Sequence, residues 1–231
     1  MKKSHWATLL VFLVLIPLTL YLGKLLPGRQ YYITVTLLIV ELMLPLFLAF
    51  EGRRPQAREL ALLAVLCALA IAGRVVFPIP HFKAVFAIII VAAIAFGPEA
   101  GFMVGAITAF ASNFFYGQGP FTPWQMMAYG AGGMLAGFCF GPGKLSQKPW
   151  VMAVFGFFTV LFWMGPLMDC SSIFLMLSRI TWKAVITVFA SGFFVNCCNA
   201  LCTAAVLFFL GKPMLQKLHR VQLKYGLLFQ K

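Results

Sequence analysis

The sequence predicts an all-α integral membrane protein, a six-helix bundle preceded by two additional N-terminal transmembrane helices. Three observations carry that expectation. Of 231 residues, 62% are hydrophobic and only 10% charged, and the mean hydropathy is +0.96. A soluble domain carries about 25% charged residues, so this chain lacks the polar surface to coat a globule in water. Apolar runs of about 20 residues recur from end to end, each long enough to cross a hydrocarbon core of roughly 30 Å. Backbone groups cannot go unpaired in lipid, so such runs are expected to be helices.

Punctuation by Gly, Pro and charge delimits eight spans, at about residues 6–23, 31–50, 58–73, 82–97, 99–115, 124–140, 150–168 and 183–210. The first opens like a signal peptide, with Met1-Lys2-Lys3 ahead of an apolar run from Trp6 to Leu22. The following Gly23-Lys24-Leu25-Leu26-Pro27 offers no small-x-small cleavage site, so a retained helix is expected. The second span carries Glu41 near its middle. After it, residues 51–59 form the most charged stretch of the chain and make a natural joint. The organisation read from this is a two-helix segment over 1–55, a six-helix unit over 56–215 and a basic tail over 216–231.

The third span places Ala57, Ala61, Ala64, Ala68 and Ala72 on one helical face, a smooth strip against which another helix can pack closely. Two glycine ladders, Gly97-Gly101-Gly105 and Gly133-Gly137-Gly141, read as close packing inside a bundle. The last span is long enough to tilt or to project beyond the bilayer.

The net charge is +13, which in a soluble protein would suggest nucleic acid. No basic run here is interleaved with exposed aromatics as single-strand binders require, and basic residues gather beside anionic headgroups on the cytoplasmic side of membrane proteins. If the N-terminus is cytoplasmic, Lys2, Lys3, Arg53, Arg54, Arg58, Lys144, Lys148, Lys212, Lys217, Arg220, Lys224 and Lys231 fall inside. Lys24, Arg29, Arg74, Lys83, Arg179 and Lys183 fall outside. The two-to-one bias predicts a multi-pass protein of the cell membrane with both termini in the cytoplasm.

Little supports catalysis. The three histidines are His5, His81 and His219, no hydrolase or phosphate-loop motif occurs, and the acids Glu41, Glu51, Glu59, Glu99 and Asp169 form no close pair in sequence. The six cysteines form no CxxC pair, so neither a metal site nor a disulfide framework is indicated, and no cofactor is expected. A chain without a phosphate-binding loop cannot use ATP by itself.

Ligand binding has better support. The connection between the fifth and sixth spans, residues 113–125, contains no charge, and Gly117, Gly119, Pro120 and Pro123 force a non-helical path. Around it Asn113, Tyr116, Gln118, Thr122, Trp124 and Gln125 offer neutral donors and acceptors beside aromatic faces, a mixture suited to a neutral or zwitterionic ring compound. Asn196 and Asn199, with Ser191 upstream, share a helix in the last span, where polar groups face a cavity or a partner helix. Arg74 and His81 bracket a further loop and are candidates for a ligand carboxylate or phosphate.

The unit from Glu59 to Gly211 resembles the substrate-specific components of energy-coupling factor transporters. The likeness rests on the strip Ala64-x-x-x-Ala68-x-x-x-Ala72, the Phe96-Gly-Pro-Glu-Ala-Gly-Phe102 turn, and the Gly117-to-Gln125 loop leading into a Gly-rich helix. It implies high-affinity capture of a vitamin or related micronutrient at the outer face and no enzymatic activity. It also implies partners: a transmembrane coupling protein, met by Ala64, Ala68 and Ala72, and two ATP-binding subunits that power delivery as the loaded subunit tips over. The loops at Val75–His81 and Tyr116–Trp124 would cover the ligand. Among vitamins, a cobalamin-like corrinoid is the favoured expectation. The two extra N-terminal helices depart from the family pattern. The alternatives are a membrane-embedded enzyme acting on a lipid or isoprenoid, needing Glu41, Glu99 and Asp169 to converge, and a self-contained proton-coupled carrier using Glu41.

Overall fold

A computed structural model describes residues 10–25, 31–52, 55–76, 82–141, 144–177 and 179–226. All regular structure among them is helical. A wide π-turn at Val11–Leu15 leads into α1 (Ile16–Leu25), followed by α2 (Tyr31–Gly52), α3 (Ala57–Val75), α4 (Val85–Phe96), α5 (Pro98–Tyr116) and α6 (Thr122–Cys139). Then α7 (Pro149–Thr159) runs through a second π-turn, Val160–Met164, into α8 (Gly165–Met176). Likewise α9 (Trp182–Val206) passes through Leu207–Gly211 into α10 (Lys212–Tyr225). Each of the eight expected spans contains helix among the described residues. His81 and the 77–81 part of its loop lie outside the described residues, as do Lys2, Lys3, His5, Arg29, Arg53, Arg54 and Lys231.

Two spans are longer than the sequence suggested. The seventh span was expected to end near residue 168, yet the helix continues to Met176. Pro166 has no N–H to give the preceding turn, and the π-turn before it absorbs that missing bond. The final helix runs unbroken from Trp182 to Tyr225, 44 residues, so the expected tail is helical through most of its length. Only residues 227–231 lie beyond the description.

Helix α4 is shorter than expected. Its 12 residues span about 18 Å at 1.5 Å each, less than a hydrocarbon core. Its sequence, apolar on every side, fits its place: Val85, Ala87, Ile89, Ile90, Val91 and Ala92 are almost completely enclosed. It is the central post of the bundle. Among the described residues, three helices are long and apolar enough to cross a membrane on their own, Tyr32–Gly52, Pro149–Met176 and Trp182–Tyr225.

Helices α5 and α6 pack most intimately, and the two glycine ladders make this possible. A Cβ on Gly133 would stand 2.5 Å from the Gly101 carbonyl oxygen, and one on Gly137 would stand 2.5 Å from Pro98 Cα. A Cβ on Gly105 would meet the Tyr129 carbonyl carbon at 2.5 Å. Only glycine permits this approach, so the ladders serve the bundle's own packing. Gly97, at φ 92°, makes the turn between α4 and α5.

One end of the bundle gathers the starts of α3, α5 and α7 with α10, and with them Arg58, Lys144, Lys148, Lys212, Lys217, Arg220 and Lys224. We call it the basic end. There α10 crosses the ends of α4 and α3. Gln222 Nε2 donates to the Ala95 carbonyl at 2.7 Å, and the Arg58 guanidinium lies 5.8 Å from the Tyr225 ring centroid. The opposite end carries the α5–α6 and α8–α9 connections. Helix α3 buries Glu59, Leu63, Leu66, Cys67 and Ala70 against α4 and α5, while Ala57, Ala61, Ala64, Ala68 and Ala72 are all exposed. The strip is therefore not sealed within the bundle.

Candidate functional site

The polar residues picked from the α5–α6 connection do come together, but they bond chiefly to one another. Arg74, at the end of α3, donates from Nη1 to Ser112 Oγ and to Asn113 Oδ1, the latter at 3.0 Å. Asn113 Nδ2 donates to Thr122 Oγ1 at 3.1 Å, and that hydroxyl donates to Gln118 Oε1 at 2.9 Å. Gln118 Nε2 closes the loop on the Phe110 carbonyl at 2.9 Å. Tyr116 OH donates to the Arg74 carbonyl at 2.9 Å, and its ring lies 5.0 Å from the guanidinium. Asn113 and Ser112 are wholly buried. This network pins the far ends of α3, α5 and α6 together.

Trp124 and Gln125 follow on α6. Trp124 stacks on Phe174 of α8 at 5.5 Å, in the cluster that Ile39 and Met43 of α2 also enter. Gln125 Oε1 and Trp124 Nε1 are buried without a partner among the described residues.

A cavity of about 480 Å³ opens between α4, α6, the Val160–Met164 π-turn, α8 and α9. Phe86 and Tyr129 form one wall, their rings edge to face at 4.8 Å. Met164, Met168 and Met176 supply soft apolar surface. Polar groups come from α8 and α9: Asp169, Ser172, Ser191, Asn196 and Asn199.

Asn196 Nδ2 donates to Asp169 Oδ2 at 2.9 Å. The pair is set against two glycines. A Cβ on Gly165 would stand 2.6 Å from Asn196 Nδ2, and one on Gly192 would stand 2.7 Å from Asp169 Cγ. Small residues on the facing helices thus let two polar side chains fit between them. Asn199 Nδ2 is spent on the Val195 carbonyl at 3.0 Å, while its Oδ1 is buried without a partner among the described residues. A buried acceptor left unpaired costs about 1–3 kcal/mol, so this oxygen favours a ligand that donates to it.

Of the residues expected to bind substrate, Asn196 lines the cavity. Arg74, Asn113, Tyr116, Gln118, Thr122, Trp124 and Gln125 do not. Arg74 reaches its edge indirectly, with its guanidinium 5.6 Å from the Tyr129 ring. Asp169, Ser172 and Tyr129 line the cavity and were not among the residues expected to bind substrate. Asp169 gave no signal because its partner lies 27 residues away; the one clue was Gly192 facing it, which has meaning only once α8 and α9 are paired.

Glu41, Glu99 and Asp169 sit on three elements, and only Asp169 lines this cavity. Glu41 instead accepts from Thr19 Oγ1 within the N-terminal helix pair.

No curated protein and no solved structure matches the chain. The family model described as "ECF-type riboflavin transporter, S component" matches residues 55–216, which covers the bundle from just before α3 to the first turns of α10 and leaves α1 and α2 outside. With a match over well more than half of an all-helical membrane protein, the chain belongs to the family of ECF-type riboflavin transporter S components, transport subunits rather than enzymes that work with a coupling protein and ATPases.

Proposed function

We propose that this chain captures riboflavin or a closely similar ring-bearing vitamin in the cavity between α6, α8 and α9. The observation that carries the reading is the cavity's chemistry: an aromatic wall from Phe86 and Tyr129 facing an acceptor set of Asp169, Asn196 and Asn199. A flat ring suits the wall, and a hydroxylated chain supplies donors for Asp169 and for the unpaired Asn199 Oδ1. The volume of about 480 Å³ falls in the usual range for compact organic ligands, about 300–1,000 Å³. A corrinoid is far larger, so the cobalamin-like ligand favoured by the loop composition requires the cavity to widen. Volume and family description both favour the smaller vitamin.

The network around Arg74, Asn113, Thr122 and Gln118 then acts as a fixed roof rather than as the ligand's partner set. Docking on the coupling protein is assigned to the exposed strip Ala64, Ala68 and Ala72, with Leu60, Val65 and Leu69 beside it. The basic end is placed on the cytoplasmic side, following the distribution of Lys and Arg, which sets the cavity toward the outside.

Titration of the purified chain with riboflavin in detergent tests the ligand. Saturable, one-to-one binding is expected. Absence of riboflavin binding, with a corrinoid retained through purification and identified by mass spectrometry, would restore the larger ligand. Ala68→Glu tests docking: it is expected to leave riboflavin affinity unchanged and to abolish co-purification with the coupling protein. A normal complex would discard the docking face.

A further inference from the structure

Three neighbouring hollows at the basic end are linked in series by shared lining residues. The first, about 390 Å³, is an almost purely apolar groove along α7, lined by Trp150, Val154, Phe155 and Phe158 and ending at Leu145. Leu145 also borders the second hollow, about 440 Å³, which holds Lys144 and Gln147 beside the Gly97-Pro98 turn. Gln147, Ile94 and Ala95 are shared with the third, about 520 Å³, where Lys212, His219, Gln216 and Gln222 stand on α10. Gln222 is almost fully buried, held by its bond to the Ala95 carbonyl, so α10 forms a fixed wall there. Among the described residues, none of the three is lined by Asp or Glu.

The composite runs from hydrocarbon to cation over a short distance. Trp150, exposed in the first turn of α7, is of the type that anchors at the membrane–water interface. The apolar groove extends from it along α7, and the lysines stand on its other side. That ordering matches one molecule lying upright in a bilayer: an acyl chain against Val154 and Phe158, a phosphate between Lys144 and Lys212, and headgroup hydroxyls near Gln147 and Gln216. Basic pockets between membrane helices recognise lipid headgroups in this way. A free phosphate could use the lysines but would leave the groove idle.

We propose that the hollows lined by α7, residues 144–147 and α10 bind an anionic phospholipid from the leaflet at the basic end. The bound lipid bridges α7 to α10, beside the site where α10 crosses α4 and α3. The binding is independent of which vitamin occupies the cavity at the other end.

The test uses the full chain in neutral detergent, with native mass spectrometry against dioleoyl phosphatidylglycerol, dioleoyl phosphatidylcholine and glycerol 3-phosphate. One phosphatidylglycerol is expected to be retained, at least tenfold in preference to phosphatidylcholine. At about 1 kcal/mol per basic residue near a charged surface, the Lys144→Gln, Lys212→Gln double variant should weaken retention about 25-fold. Val154→Trp, which fills the groove, should also weaken it. Lys144, Val154 and Lys212 are exposed, so unchanged melting temperatures are expected to show that both variants fold. Equal retention of the two lipids, or no effect of the lysine changes in folded protein, would overturn the proposal. So would displacement by glycerol 3-phosphate with Val154→Trp unaffected, which would make this a site for free phosphate.

Discussion

Replacing Gly192 by alanine separates ligand contact from structural support at the cavity. The added methyl would stand 2.7 Å from Asp169 Cγ and 2.8 Å from Oδ2, too close for any rotamer-preserving fit. What must move is the end of a flexible side chain, so the cost to folding is about 0.5–1.5 kcal/mol, that of an off-rotamer carboxylate. The cost to binding is larger. Asp169 would swing out of its bond with Asn196 and away from the ligand's donors, and a hydrogen bond to a charged group contributes about 1.5–3 kcal/mol. Riboflavin affinity should therefore fall roughly tenfold to a hundredfold, with a small drop in melting temperature. Calorimetric titration and thermal melting of the same preparation read both quantities. Gly52→Ala is the control, because a Cβ there meets nothing within 4 Å. Wild-type affinity in Gly192→Ala would refute the assignment of Asp169 to the ligand. A melting loss large enough to account for the lost binding would refute the separation of the two roles.

At Gly105 the obstacle is backbone, with the Tyr129 carbonyl carbon at 2.5 Å and Gly130 N at 2.7 Å. Gly105→Ala must therefore push α5 from α6 and should cost about 1–3 kcal/mol or more of stability, seen as a lower melting temperature with or without ligand. Arg74→Met leaves the wholly buried Asn113 Oδ1 without its donor, a loss of about 1–3 kcal/mol visible as faster hydrogen exchange in residues 112–122. Asn199→Leu removes an unpaired acceptor and should leave the apoprotein as stable as wild type or more so, while riboflavin binding measured by titration weakens at least fivefold.

The architecture was legible because membrane helices declare themselves by composition and by the residues that interrupt them. The boundaries of α2, α3, α5 and α6 follow Gly, Pro and charge closely. The errors arose where a local rule was overridden by a neighbour. The seventh span was expected to stop near residue 168, but a π-turn carries the helix past Pro166 to Met176. The segment from residue 216 was expected as a basic tail because its basic residues are conspicuous; it is helical as far as Tyr225, and Gln222 on its other face is buried. The site was harder to see because polar loops attract attention from sequence alone. Those side chains are mostly committed to each other, a pairing across α3, α5 and α6 that no linear pattern reveals. The cavity's acceptors come from α8 and α9: Asn196 and Asn199 stood out in sequence as a polar pair on one helix, whereas their counterpart Asp169 lies on a different helix and shares no linear pattern with them.

The two helices outside the family match have a definite place, and it bears on how the six-helix unit can work. Helix α2 packs on α5, α6 and α8, with Phe47 edge to face on Phe102 at 5.4 Å and Ile39 and Met43 in the cluster with Trp124. That contact lies away from the exposed alanines of α3, so an added helix pair does not obstruct the strip. It does constrain α8, which is held by α2 and α6 while it faces α9 across the cavity. In contrast, α9 turns Ile186, Phe193 and Phe194 outward and is the less enclosed wall. Any opening of the cavity is therefore easier by displacing the far half of α9 than by moving α8. Asn196 and Asn199 would travel with α9, while Asp169 and the Phe86–Tyr129 wall would stay with the bundle. On the proposed binding mode, a ligand held from both sides would resist that movement and so couple occupancy of the cavity to closure of α9.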